Sequence, residues 1–206
     1  MPESISRRSF ANLSTGVVLG SAIPPALAEA NAGSAGLTGP VESPFERNYT
    51  APSFKPSWKN PQLNRLLVQD FVIFAHSDPD MVKKLLEHQP MLLNAAMDWG
   101  GGDWETGLGG ASHMGRRDIV EFLLASGARI DIFCAAMMGQ LDAVKAFLKL
   151  EPKLIDAKGP HGFSLHFHAQ VGAKDAENVL DYLQSVKKVE LKPNPFLKKP
   201  GDEKPK

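Results

Sequence analysis

Histidine is the side chain of this 206-residue sequence with the most obvious capacity for chemistry. His161, His166 and His168 lie close together, and His113 comes much earlier in the chain. Imidazoles at such spacing can bind zinc or copper. However, no carboxylate stands at a ligand-like spacing from the three, and His113 falls on a different predicted helix. We therefore interpret these histidines first as braces of the backbone, with metal binding as the alternative.

Catalytic arrangements of a nucleophile and a base are not evident in the sequence. Ser112 and His113 are adjacent, and adjacent residues on a helix do not face each other. No serine stands in the strand-turn-helix motif that a hydrolase nucleophile uses. The glycines at 100–102 lack the flanking pattern of a phosphate-binding loop. We therefore predict no catalytic residue, no metal ligand and no cofactor, and expect that the protein is not an enzyme.

A second candidate site is the loop Met97-Asp-Trp-Gly-Gly-Gly-Asp-Trp104. Its two tryptophans and two aspartates on a glycine-rich backbone would suit the binding of a partner protein, a peptide or a sugar ring. The alternative is that one tryptophan only fills a gap in the core. Arg116 and Arg117 follow soon after and offer either a contact for an acidic partner or a solvated surface.

Composition narrows the classes of partner. The chain has 23 basic and 23 acidic side chains, so there is no electrostatic basis for nucleic acid or an anionic membrane as the main partner. The single cysteine, Cys134, excludes an internal disulfide and a multi-cysteine zinc site. Its apolar neighbours Phe133 and Ala135 indicate a buried, unreactive thiol.

The elements that must position these residues are helices that recur along the chain. An acidic residue, a valine two positions later and an apolar pair beyond it appear in four segments. The valines are Val82, Val120, Val144 and Val179, at spacings of 38, 24 and 35 residues. A second phrase recurs in Gln89-Pro-Met-Leu-Leu-Asn-Ala95 and Glu151-Pro-Lys-Leu-Ile-Asp-Ala157. Together these recurrences indicate an internal repeat.

The repeat resembles the ankyrin family over residues 62–185. Glu105-Thr-Gly-Leu108 stands where that family has Thr-Pro-Leu-His, and Ser164-Leu-His166 answers to Pro-Leu-His. Ala111 and Gly115 match the family's helix-packing alanine and inter-helix glycine. The third copy is short, because Ile130-Asp-Ile132 runs almost straight into its first helix. It should therefore lack the β-turn that projects from a regular repeat.

The resemblance implies an all-α fold, a short ankyrin-repeat solenoid of three to four degenerate helix pairs. It also implies a non-catalytic function, the binding of another protein by the concave face, and we expect a monomer. The candidate partner-binding residues are Asp98, Trp99, Asp103, Trp104, His113, Arg116, His161 and His166. The alternative function is an accessory protein that binds a metal or a small molecule for an exported enzyme.

The two ends of the chain read as segments outside the fold. Ser6-Arg-Arg-Ser-Phe10, an uncharged apolar run and Ala26-Leu-Ala28 resemble a twin-arginine export signal over residues 1–28. This resemblance implies cleavage after Ala28 and a periplasmic or secreted product without stable membrane insertion. Residues 29–61 are expected to form an extended linker, and the Lys/Pro-rich residues 186–206 a disordered tail.

Overall fold

The computed structural model describes residues 42–57 and 59–196, so the predicted signal peptide lies outside the described residues. The chain divides into two compact units at residue 52. In the described residues of the first unit there is no helix or strand, and the Arg47 guanidinium carbon lies 5.8 Å from the ring centroids of both Phe45 and Tyr49. The second unit, Ser53–Lys206, contains all the elements described below.

Within the described residues the second unit has eight α-helices and one two-stranded antiparallel sheet. The helices are α1 (Arg65–Ala75), α2 (Pro79–His88), α3 (Gly107–His113), α4 (Arg117–Ala125), α5 (Ile132–Met137), α6 (Leu141–Leu150), α7 (Leu165–Val171) and α8 (Glu177–Val186). The strands are β1 (Ala96–Asp98) and β2 (Trp104–Thr106). The chain is therefore mostly helical, as the sequence predicted at this coarse level.

Polar side chains begin the helices of the odd-numbered series. Thr106, Asp131 and Ser164 precede α3, α5 and α7, and each accepts a hydrogen bond from the backbone N–H three residues later. Such caps satisfy an N–H that the first helical turn leaves without a partner. The same capping geometry therefore recurs at three places along the chain.

The helices pack in a regular order. The odd-numbered helices contact one another in sequence from α1 to α7, and each also contacts the even-numbered helix that follows it. Buried side chains of α1–α4 form one apolar cluster, which also includes Leu92, Cys134 and Met137 of α5, and Val171 of α7. The other buried apolar side chains of α5–α8 form a second cluster around Val144, Leu165 and Leu183. The odd-numbered helices thus form a continuous row.

The connections that enter this row differ in length. The hairpin β1–β2 precedes α3, with Met97 opposite Glu105 in the register, and a 3₁₀ turn, Pro160–Gly162, lies shortly before α7. Between them, Asp131 caps α5 directly, with no strand before it. The connection before α5, which we call the third connection because it enters the third helix pair, is therefore short and lies between the hairpin and the turn.

The end of the chain was predicted as one disordered tail from residue 186. Residues 187–196 are described, and they contact the helices: Gln170 Nε2 donates to Lys192 O at 3.2 Å, and the Phe196 ring lies 6.0 Å from that of Phe167. Residues 197–206 lie outside the described residues.

Candidate functional site

Glu105 is a charged side chain in the interior of the unit. The central residue of a three-residue strand faces the opposite way from its neighbours. In β2, Glu105 therefore points inward, where it is 1% exposed, while Trp104 is 62% exposed. The Trp99 indole Nε1 donates to Glu105 Oε2 at 2.7 Å. A buried carboxylate needs more compensation than one hydrogen bond, and three imidazoles surround this one.

The three imidazoles come from separate parts of the chain. His76 is the C-cap of α1, His113 ends α3, and His161 lies in the turn before α7. We name the histidine–glutamate cluster as His76, Glu105, His113 and His161. Each member offers one nitrogen or oxygen as a ligand atom, and these four atoms all lie within 4.8 Å of one another.

Glu105 is the centre of the cluster. Its Oε2 lies 3.4 Å from His76 Nε2 and 3.5 Å from His161 Nε2. Its Oε1 lies 3.0 Å from His113 Nδ1, but at an angle that makes no hydrogen bond, so neither of these buried atoms has a hydrogen-bond partner among the described residues. The contact with His113 is therefore electrostatic and undirected.

Charge in the cluster follows from burial and proximity. Burial acts to raise the pKa of Glu105, but the neighbouring rings of His113 and His76 outweigh burial and hold this pKa at about 2. Burial acts to lower the pKa of His76, and the Glu105 carboxylate outweighs burial and raises it. Glu105 is therefore an anion at neutral pH, because its pKa is far below 7.

Two of the rings are oriented by oxygen atoms outside the cluster. His76 Nδ1 lies 2.8 Å from the Val72 carbonyl oxygen. His161 Nδ1 lies 2.8 Å from Asp103 Oδ2. A carbonyl or carboxylate oxygen accepts but does not donate, so each Nδ1 carries a hydrogen. Each ring is thereby fixed with its Nε2 toward Glu105.

Asp103 joins the hairpin to the turn before α7. Besides holding the His161 ring, it accepts a hydrogen bond from the His161 backbone N–H at 2.9 Å on Oδ1. These two residues are 58 positions apart in sequence. They meet because the third connection is short and leaves the hairpin and the turn facing each other across the start of α5.

A groove of about 320 Å³ lies at the same place, beside the hairpin. Its walls include Trp104 from the hairpin, Phe133 from α5 and Lys158 from the segment before the turn. Asp103 and Asp131 also line it. The groove thus combines an exposed aromatic side chain with charges of both signs.

Glycines of α3 make room for the cluster. A Cβ at Gly110 would lie 2.7 Å from His76 Cε1 and 2.9 Å from its Nδ1. A Cβ at Gly109, one residue earlier, would meet only ordinary contacts, the closest at 3.4 Å. Gly110 is therefore needed for the position of the His76 ring, whereas Gly109 is not.

The residues predicted to bind a partner have several roles in the structure. Four of them belong to the cluster or hold it, and a fifth, Trp104, lines the groove. The four are Trp99, Asp103, His113 and His161.

Two other predicted residues have structural contacts elsewhere. Asp98 accepts the backbone N–H groups of Gly100 and Gly102 and braces the hairpin turn. Arg116 pairs with Asp118, with the two nearest atoms 2.7 Å apart.

His166 and His168 do not join the cluster. His166 Nε2 lies 2.9 Å from the Lys187 carbonyl oxygen, and His168 Nδ1 lies 2.9 Å from the Ser164 carbonyl oxygen. Both rings are buried. The sequence grouped His161 with these two histidines in the alternative of a metal site. In the structure the His161 ring points to Asp103 and Glu105 instead.

His76 and Glu105 were missed as site residues. Glu105 has no ligand-like spacing from the histidines along the sequence, and it reaches them only through the fold. Two signals were available. In the segment predicted as a turn, Glu105 lies between Trp104 and Thr106, whose side chains point the opposite way. His76 follows Val72 by four positions, which places it on the buried face of the helix.

Comparison with known proteins adds no assignment: no protein-family model matches the chain, and no curated protein matches it. Among the described residues, no helix has the length and apolar character needed to cross a membrane.

Proposed function

We propose that this chain is an ankyrin-type repeat protein that binds another protein, without catalysis, after export to the periplasm. The repeat assignment is supported by local geometry at matched positions. Gly115 and Gly139 both have positive φ, at 67° and 73°. The residue after each donates to the carbonyl oxygen five residues earlier, at 2.9 Å in both cases. These matches accompany the recurrent caps of α3, α5 and α7.

The observation that carries the binding function is the groove at the short third connection. Trp104 exposes 62% of its surface there and forms a wall with Phe133. Exposed aromatic side chains beside a concave surface are favourable sites for an apolar anchor of a partner. We expect the partner to insert an apolar side chain between Trp104 and Phe133, with polar contacts to Asp131 and Lys158 at the rim.

Site-specific photocrosslinking in the periplasm tests this function. A photoreactive amino acid at Lys158, on the rim of the groove, is expected to capture a discrete partner, and Trp104→Ala should remove the adduct. Leu150 provides the matched control, because it is 82% exposed on α6 and does not line the groove. Identical adducts from positions 158 and 150, or an adduct that survives Trp104→Ala, would contradict the proposal.

Export is tested separately by cell fractionation. Replacement of Arg7 and Arg8 by lysine is expected to retain the chain in the cytoplasm, because a twin-arginine signal requires both guanidinium groups. Unchanged recovery from the periplasm would reject this signal without affecting the binding proposal.

A further inference from the structure

The nitrogens and oxygens that meet in the histidine–glutamate cluster are electron-rich. His76 and His161 each use their Nδ1 hydrogen outside the cluster, on Val72 O and Asp103 Oδ2. In the neutral ring the remaining Nε2 is then an acceptor. Both Nε2 atoms face Glu105 Oε2, which also accepts only. Three acceptors around one small space repel each other unless a proton on an imidazole or a metal cation lies between them.

Two further atoms that carry lone pairs face the same space. Glu105 Oε1 and His113 Nδ1 are buried and lack hydrogen-bond partners among the described residues. Buried polar atoms of this kind are uncommon and call for an explanation. A cation that accepts their lone pairs explains both atoms, together with the two Nε2 atoms.

The size of the space fits a transition metal ion. A tetrahedral zinc ion with ligands at about 2.0–2.1 Å places its ligand atoms about 3.3 Å apart. The Nε2 atoms of His76 and His161 lie 3.4 and 3.5 Å from Glu105 Oε2, and His113 Nδ1 lies 3.0 Å from the other carboxylate oxygen, Oε1. With one ligand atom from each of the four residues, all four atoms lie within 4.8 Å of one another. Imidazole and carboxylate are ligands that zinc accepts. A histidine that donates its other N–H to a carboxylate, as His161 does to Asp103, is an arrangement that orients metal ligands.

We propose that the histidine–glutamate cluster binds one zinc ion, with three imidazole nitrogens and one carboxylate oxygen of Glu105 as ligands. Four protein ligands complete a tetrahedral site, which is the closed form of a zinc site and leaves no position for a substrate. The ion would connect α1, α3, the hairpin and the turn before α7. This proposal goes beyond protein binding and does not depend on it.

Zinc titration of the untagged, chelator-treated chain tests the proposal. We expect saturable binding at one ion per chain by isothermal titration calorimetry. His161→Ala should weaken the affinity on the order of 100-fold or more, because loss of a ligand exceeds the 10–100-fold effect of losing a residue that only orients one. The His161 side chain is 29% exposed in a turn, so its removal leaves the core intact.

Two further variants separate loss of the site from loss of the fold. Glu105→Gln keeps an oxygen that accepts from Trp99 and removes only the charge, and it should weaken zinc binding to a similar extent. His88→Ala removes an exposed histidine at the end of α2 and should bind zinc as the unmodified chain does. Circular dichroism checks that each variant is folded.

Cobalt(II) provides an independent readout, because four-coordinate Co²⁺ absorbs visible light much more strongly than the hydrated ion. We expect intense bands that disappear in the folded His161→Ala and Glu105→Gln variants. The proposal fails if zinc does not saturate at one ion per chain, if His88→Ala weakens binding as much as His161→Ala does, or if cobalt gives only the hydrated spectrum. The first result would mean that the cluster is compensated by a proton alone.

Discussion

His161 and His168 both place Nδ1 against an oxygen, at 2.8 Å from Asp103 Oδ2 in one case and 2.9 Å from Ser164 O in the other. Their second nitrogens have different surroundings. His161 Nε2 faces the carboxylate of Glu105. His168 Nε2 is buried without a hydrogen-bond partner among the described residues, and the rings of Phe133 and Phe167 lie 5.1 and 6.0 Å from its own.

The second ring nitrogen decides which of these two histidines can serve as a ligand of the proposed ion. Fixing one ring nitrogen is common to both residues and so does not separate them. The difference lies in what the other nitrogen faces: an anion surrounded by more imidazoles, or aromatic carbon. Accordingly, burial lowers the pKa of His168 to about 4, which keeps this ring neutral within the helical row.

Two glycines with the same φ, Gly139 and Gly162, should differ in their tolerance of a side chain, and this gives the largest expected effect. A Cβ at Gly139 would lie 1.9 Å from the Asp175 carbonyl oxygen, in the 3₁₀ turn between α7 and α8, in addition to the strain of a φ of 73°. Gly139→Ala is therefore expected to destabilise the protein on the order of 4 kcal/mol or more.

Gly162→Ala is the matched control beside His161. Gly162 has the same φ of 73°, but nothing lies within 4 Å of its Cβ position. Gly162→Ala should therefore lower the free energy of unfolding only by the conformational strain, about 1–2 kcal/mol. Urea denaturation measures both values, and equal losses would mean that the close contact with the Asp175 backbone does not matter.

The stability of the protein at low pH should distinguish His168, which burial keeps neutral, from the other histidines. The pKa of His168 is about 4 in the folded state against 6.5 as the ordinary value, so protons bind the unfolded chain more tightly. The contribution of the neutral His168 ring to the free energy of unfolding is complete above pH 6.5. It decreases by about 3 kcal/mol as the pH falls from 6.5 to 4. His168→Gln should remove this part of the pH dependence.

The measurement is the free energy of unfolding from pH 7.5 to 4 with a chelator present. His88→Gln serves as the control, since it removes a histidine that is exposed. If His168→Gln and the unmodified chain lose stability equally over this range, His168 is not held neutral by burial.

The orientation of His161 by Asp103 can be tested against a second aspartate of the same hairpin. Asp103→Asn removes the charged acceptor and should weaken zinc binding about 10–100-fold. Asp98→Asn changes a carboxylate that braces the hairpin turn through Gly100 and Gly102, and it should leave the affinity unchanged. Calorimetric titration compares the two, and similar losses would assign the effect to the hairpin as a whole.

The smallest effect is expected from the glycines of α3. Gly110→Ala must push the His76 ring out of place, at about 0.5–1.5 kcal/mol for a distorted side chain, which weakens zinc binding by up to about tenfold. Gly109→Ala meets only ordinary contacts and should leave binding unchanged while it stabilises the helix by up to about 1 kcal/mol. Equal affinities in the two variants would show that the His76 ring has room to move.

Much of the helical fold could be predicted because its signals are local. Caps such as Thr106 and Ser164 act on residues three positions away, and the apolar stripe of a helix repeats within a few residues. The short connection before α5 was also visible in the sequence. These features depend on neighbours along the chain, which the sequence displays directly.

The cluster could be predicted only in part, since its contacts are not local. Asp103 and His161 meet across 58 positions. Their contact depends on the relative placement of two connections, which sequence spacing does not give. His113 and His161 were identified as candidates, but Glu105, which brings them together, was assigned to a turn of the scaffold.

The aromatic rings that cover His113 would limit the speed at which a metal ion enters and leaves the cluster. The rings of Phe163 and Phe196 lie 5.3 and 6.0 Å from that of His113, so this side of the cluster is closed by aromatic groups. His161 has the most exposed side chain of the cluster, at 29% against 19% for His76, and lies in a turn whose Gly162 has open space around its Cβ position. Ion exchange would therefore require the His161 ring to swing outward and break its contacts with Asp103. The contact between Asp103 and His161 would therefore control how long the ion stays bound, and together with the buried ligands it would set how tightly the ion is held.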